Sequence, residues 1–343
     1  VAARLTRRAR TTRGNTGGGM VAISAAKAAV LTGGGRVELA AVELPQPGPF
    51  EVRLRLQGSG VCASNLPVWE GRRWFDYPLA PGAPGHEGWG VIDALGEEVV
   101  DFSIGERVAA LSYNAYAEYD VAASNALVRL PSELGDKPFP GEPLGCAMNI
   151  FSRSDIHADQ RVAVIGAGFL GALLTELAAR AGANVIAVSR RPFALEMARE
   201  KGAQAVVQLT DDVAYTARQV NALTQGECCD RVIEVTGHQL ALEVATDVIG
   251  VRGRLIIAGY HQDGLRHIDM QKWNWKGLDV INAHERDPGQ YIEGIRQAII
   301  AVEQGRLNPL PLYTHSFGLG ELDGAFELMR KRPEGFIKAL VTP

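Results

Sequence analysis

The sequence predicts an α/β protein, a doubly wound parallel sheet joined to a smaller β-rich unit. Three observations carry that prediction. Residues 161–191 read as strand, glycine turn, helix and strand. Helical and extended segments then keep alternating as far as residue 282. Between residues 20 and 131, Gly, Pro and Asp turns cut the chain into short extended runs with no long amphipathic helix.

The first of these segments begins with RVAVI at 161–165, the apolar, β-branched run that a strand buried on both faces needs. It ends directly on GAGFLG at 166–171. In this GxGxxG pattern Gly166 permits the tight turn, Gly168 lets a pyrophosphate approach the backbone, and Gly171 lets the helix pack on the strand. The helix N-terminus then faces the phosphates. Leu170, Leu173, Leu174, Leu177 and Ala178 recur at helical spacing, Gly182 stands where a C-terminal cap is expected, and 184–188 resumes as strand. Inside a complete βαβ pattern the motif predicts a dinucleotide site that includes Gly166, Gly168, Phe169 and Leu170.

The end of the second strand bears on which dinucleotide binds. An NAD site places a carboxylate there, roughly 20 residues after the glycines, for the ribose hydroxyls. Here the position is Ser189, followed by Arg190 and Arg191. A hydroxyl does not repel a 2′-phosphate and a guanidinium binds one through charge-assisted hydrogen bonds, so NADP(H) is the expected cofactor.

Further along, helices are expected over 192–201, 212–224 and 239–249, and strands over 205–207, 231–235, 254–258 and 278–282. Thr236 and Gly259 fall at strand C-termini, where the dinucleotide of such a sheet lies. The tail adds a helix over 291–304, an extended run over 310–317, a helix over 321–331 and a strand over 336–341. In the β-rich part the extended runs are 37–44, 51–58, 90–96, 107–111 and 117–121.

At 343 residues the chain has room for about two domains, and 46% hydrophobic with 22% charged residues is ordinary for a globular protein. A net charge of -4 gives no electrostatic reason for a nucleic-acid or anionic-membrane partner. No apolar run reaches the roughly 18 residues needed to span a bilayer. Four cysteines, with Cys228 and Cys229 adjacent, do not form a disulfide framework, so a cytoplasmic location is expected. Residues 1–19 stand apart. They hold Arg4, Arg7, Arg8, Arg10 and Arg13 with no acidic residue, end in three glycines, and are read as a disordered extension with no part in catalysis.

Two short motifs precede the sheet. GVCASN at 60–65 and GHEGWG at 85–90 set Cys62 and His86 among glycines that let the backbone turn sharply. A thiolate and an imidazole are ligands that a catalytic zinc takes, with a third protein ligand and one open position.

With the run GEEVVDFSIGERV at 96–108, the segment GEPLGCAMN at 141–149, the GAGFLG fingerprint and the tail YTHSFGLGELDGAFELM, the chain resembles the zinc-dependent medium-chain dehydrogenase/reductase superfamily, the alcohol and polyol dehydrogenases. The resemblance extends from Met20 to Pro343. It implies a GroES-like catalytic domain split between 20–150 and 288–343, around a Rossmann dinucleotide-binding domain at 151–287. It also implies one catalytic zinc held by Cys62, His86 and a third ligand. For that ligand Glu142, in the EPL position of the polyol dehydrogenases, is preferred to Cys146 one helical turn on. Glu87 resembles the glutamate beside the metal, Ser64 the hydroxyl that relays the alcohol proton, and Lys338 a basic position that contacts cofactor phosphate. The four-cysteine lobe of a second, structural zinc is missing between Val108 and Tyr116.

The implied activity is hydride transfer between NADP(H) and a secondary alcohol, a polyol or the corresponding ketone or aldehyde. Cys62, Ser64, His86 and Glu87 are its catalytic candidates, and a homodimer or homotetramer is expected. The alternatives are a zinc-free quinone or enone reductase of the same fold and a non-catalytic NADPH-binding protein. Trp69, Trp74, Phe75 and Tyr113, near the metal motifs, are candidates for the pocket wall.

Overall fold

The computed structural model describes residues 25–262 and 264–343; the extension expected over residues 1–19 lies outside them. The first part of the chain is built from strands. β1 (Ala25–Leu31) and β2 (Val37–Glu43) pair antiparallel, and β3 (Glu51–Gly60) begins a larger sheet. One short helix, α1 (Leu66–Trp69), follows the cysteine motif. β4 (Gly88–Leu95), β5 (Arg107–Ala110), β6 (Tyr119–Ala123) and β7 (Leu127–Arg129) continue the sheet. Val52, Leu54 and Leu56 of β3 point inward in turn, the period-2 pattern of a sheet with one face on a core.

Helix α2 (Gly141–Ser154) leads into the second part. There β8 (Arg161–Ile165), α3 (Phe169–Arg180), β9 (Asn184–Ser189), α4 (Pro192–Glu200), β10 (Ala205–Gln208) and α5 (Val213–Leu223) alternate. The alternation goes on through β11 (Cys229–Glu234), α6 (Gln239–Val248), β12 (Ile249–Ile257), α7 (Met270–Lys276) and β13 (Asp279–Asn282). Every pairing in this sheet is parallel, in the order β10-β9-β8-β11-β12-β13. Val162, Val164, Val232 and Ile233 are closed to solvent, which is why the central strands read as apolar runs without alternation. The strand order reverses between β8 and β11, and the crevice at their C-terminal ends is where such sheets bind ligands.

The chain then returns. α8 (Pro288–Glu303) packs on α2 at close range, since a Cβ on Gly294 would lie 2.6 Å from the Gly145 carbonyl oxygen. β14 (Tyr313–Gly318), α9 (Leu322–Lys331) and β15 (Lys338–Thr342) follow. The first sheet therefore runs β14-β15-β3-β4-β5-β7, with β6 beside β3.

Differences from the sequence expectation are local. β1 and α7 were not expected, and α2 is a full helix although Gly141, Pro143 and Gly145 lower its propensity. Pro143 is tolerated because it sits in the first turn, and the glycines are what let α8 approach. No helix among the described residues is long and apolar enough to cross a membrane.

Candidate metal and dinucleotide site

β3 runs into the cysteine motif and β4 is entered from the histidine motif. Ser59 pairs with Gly88 in the antiparallel register, so the two motifs meet at one end of the sheet. Asn65 ties them together. Its buried Nδ2 donates to the Pro84 carbonyl at 3.2 Å and to the Tyr116 hydroxyl at 2.9 Å. His86 Nδ1 lies 2.9 Å from the same Pro84 carbonyl. Donation there leaves the Nε2 lone pair for a metal, the usual way a second partner orients a ligand histidine.

Cys62, His86 and Glu87 each offer a ligand atom, and these atoms lie within 4.8 Å of one another. Ser64 Oγ donates to Cys62 Sγ at 3.1 Å and stands 3.5 Å from Asn65 Oδ1. Burial acts to lower the His86 pKa, but the hydrogen bond and charge of Cys62, with the charges of Glu142 and Glu87, outweigh it and hold the imidazole well above its ordinary value. The field at this spot favours a cation. The Cys62 sulfur and the His86 nitrogen, with a carboxylate from Glu142, whose charge reaches His86, form a donor set that zinc takes, so the residues fit the metal.

Glu142 is outside the compact group. On α2, Cys146 Sγ donates to Glu142 Oε1 at 3.1 Å. Burial and the Glu142 charge push the Cys146 thiol well up, which keeps it a neutral donor. Burial raises the Glu142 carboxyl as well, against the pull of His86. The expected third ligand therefore faces His86 electrostatically, while the close third neighbour of Cys62 and His86 is Glu87.

Glu87 enters the site because Gly60 has no side chain; a Cβ there would lie 1.8 Å from Glu87 Oε2. Its carboxylate is closed to solvent and paired with Lys338, whose Nζ lies 2.7 Å from Oε1 and 2.6 Å from Oε2. Only the Oε1 contact has hydrogen-bond geometry.

The glycine fingerprint adopts the geometry its pattern implies. Gly166 has φ +108°, and a Cβ on Gly171 would lie 1.7 Å from the Gly166 carbonyl oxygen. Gly168 is the N-cap of α3, and Phe169 and Leu170 form its first turn. Ser189 is buried at the end of β9. Arg190 Nη2 reaches Asp211 Oδ1 at 2.6 Å, and Arg191 Nη1 donates to the carbonyls of Pro333 and Phe336, tying the end of β9 to the returning tail.

Thr236 N and Oγ1 each donate to Glu234 Oε1 at 2.6 Å, and its methyl group covers Gly166. Gly259 N donates to the Glu234 carbonyl at 2.8 Å. Three residues that sequence reasoning missed belong here. Glu234 is fully buried, His261 Nε2 lies 2.9 Å from its Oε2, and Arg266 Nε donates to His261 Nδ1 at 3.0 Å. A carboxylate ending the apolar pair Val232-Ile233 at the close of β11 was the available signal for this cluster.

Two family models match the chain, one described as zinc-binding dehydrogenase over residues 170–299 and one as alcohol dehydrogenase GroES-like domain over residues 48–132. A sorbitol dehydrogenase of Halalkalibacterium halodurans is 27% identical over 92% of this chain and 99% of its own length. The chain belongs to the zinc-dependent medium-chain dehydrogenase/reductase superfamily.

Solved structures share the fold. A Sinorhizobium meliloti protein described as a zinc-binding dehydrogenase, bound to NADP, has a TM-score of 0.81 at 23% identity, covering 93% of this chain and 100% of its own. An Escherichia coli alcohol dehydrogenase complexed with NADH has a TM-score of 0.82 at 22% identity, covering 93% and 100%. Within this superfamily fold, Tyr113 stands beside the site, exposed and with its ring 6.2 Å from that of His86. Trp69 is instead a core residue, stacked on Phe326 at 5.6 Å with Nε1 donating to Asp323.

Proposed function

We propose that the chain is an NADP(H)-linked, zinc-dependent dehydrogenase or reductase, moving a hydride between the cofactor and a secondary alcohol, a polyol or the corresponding ketone or aldehyde. The observation that carries this reading is the meeting of Cys62, His86 and Glu87, linked through Lys338 to Phe169 at the start of α3. Cys62 and His86, with Glu142 drawn in from α2, would hold one zinc; Glu87 is committed to Lys338. When bound, zinc supplies a Lewis acid for the substrate oxygen and the nicotinamide supplies or takes the hydride.

The chain's own residues do the rest. Ser64, half-buried beside Cys62, is placed to hand the alcohol proton on, since its hydroxyl both donates and accepts. Tyr113 supplies an aromatic edge to the substrate side. Ser189 in the carboxylate position, with Arg190 next to it, supports the choice of NADP(H).

The test is to follow NADP(H) absorbance with polyols, secondary alcohols and ketones, before and after chelation and zinc restoration. Turnover that chelation abolishes and zinc restores supports the reading; turnover of enones or quinones indifferent to chelation rejects it. A homodimer or homotetramer is also proposed. β13 ends its sheet as an edge, and Val280 and Trp275 are exposed on and beside it. Sedimentation equilibrium checks this, and a monomer at all concentrations would contradict it.

A further inference from the structure

Tyr313 and Lys338 are register partners in β14 and β15, so the returning tail sets the two side chains next to each other. Both reach the same ring. Tyr313 stacks on Phe169 with centroids 5.8 Å apart and an interplanar angle of 29°, and Lys338 Nζ lies 5.0 Å from the Phe169 centroid. Phe169 follows Gly168 directly and opens α3, so this cluster stands where the first amides of the helix face a bound pyrophosphate.

Stacking on Phe169 needs only a phenyl ring. The hydroxyl of Tyr313 is closed to solvent and has no hydrogen-bond partner within the protein. A buried polar group without a partner is costly and uncommon, and a ligand that supplies the partner is one of the few reasons to retain it. Lys338 is not that partner, because its ammonium is directed at Glu87. Burial, with the negative charge of Glu87, holds the Tyr313 phenol well above its ordinary pKa. It therefore stays protonated, with its O–H proton free to be donated to an acceptor oxygen. Its register partner Lys338 bonds Glu87 of the metal motif while its own ring stacks on Phe169, so it stands between the metal motif and the fingerprint.

We propose that Tyr313 binds the dinucleotide, its hydroxyl donating to an oxygen of the nicotinamide-side phosphate at the start of α3. This rests on the reading of the chain as a nicotinamide dinucleotide enzyme. The test compares Tyr313→Phe with the unsubstituted chain in three measurements: NADPH binding by fluorescence titration, 2′,5′-ADP binding by calorimetry, and unfolding of the ligand-free protein.

The substitution weakens NADPH by about tenfold, the loss of one hydrogen bond to a charged group. It leaves 2′,5′-ADP within about twofold, because that fragment lacks the nicotinamide-side phosphate. It leaves the unfolding midpoint unchanged or higher, because no protein partner is lost. An unchanged NADPH affinity, an equal loss for both ligands, or a lowered midpoint overturns the role of Tyr313 alone. Failure of the unsubstituted chain to bind NADPH or NADH overturns the dinucleotide reading and this inference with it.

Discussion

Lys338 Nζ and Glu87 Oε1 lie 2.7 Å apart, an ion pair between residues 251 positions apart in the chain, with side chains only 7% and 0% exposed. It joins the last strand to the metal motif and cancels the charge of the one carboxylate that Gly60 admits beside Cys62. Removing one partner of such a pair leaves a buried charge uncompensated. Lys338→Met is expected to cost about 3–5 kcal/mol of stability in urea unfolding, and adding Glu87→Gln to recover a large part. A single substitution that costs nothing would show that solvent or another cation reaches Glu87.

Cofactor preference is expected to turn on the end of β9. Ser189→Asp with Arg190→Ala places a carboxylate against a 2′-phosphate and removes a guanidinium, so the ratio of NADPH to NADH affinity should fall by about tenfold or more. The exposed Arg190–Asp211 pair contributes little to stability, so the fold should survive the change. An unaltered ratio would remove the argument for NADP(H).

The third zinc ligand can be separated from its neighbour on α2. Glu142→Ala should weaken zinc retention against a competing chelator by at least about tenfold. Cys146→Ala should leave retention intact, because that sulfur is a neutral thiol donating to Glu142. The reverse result would make Cys146 the ligand.

Burial pushes the Cys229 thiol up to about 12, with Cys228 and Asp230 adding to the shift. The folded state holds this proton more tightly than the unfolded chain, whose thiol titrates near 9.0. The stabilisation is thus complete below that value and is lost as pH rises toward 12. From about pH 8, below that window, to about pH 10.5, its middle, Cys229→Ala should lose less of its urea midpoint than the unsubstituted chain. Equal losses would mean that Cys229 does not stay protonated.

What was legible in the sequence was local. RVAVIGAGFLG carries its strand, turn and helix start in one stretch, because each glycine answers to a backbone constraint among near neighbours. Cys62 and His86 were legible for a similar reason, their motifs flanking two strands that pair. Glu87–Lys338 and Phe169–Tyr313 were not, because each joins residues that only the return of β14 and β15 brings together. Helix α2 was hidden by its own glycines, whose low propensity is offset by packing on α8. Lys338 lies over Phe169 at the start of α3, and its bond to Glu87 was not legible in the sequence.

The proposed chemistry depends on Cys62 and His86 holding a metal. Zinc content per chain, measured by elemental mass spectrometry on protein purified without added metal or chelator, tests it most directly. About one zinc per chain is expected, lost in Cys62→Ser and His86→Ala. A value near zero that incubation with zinc does not raise would contradict it.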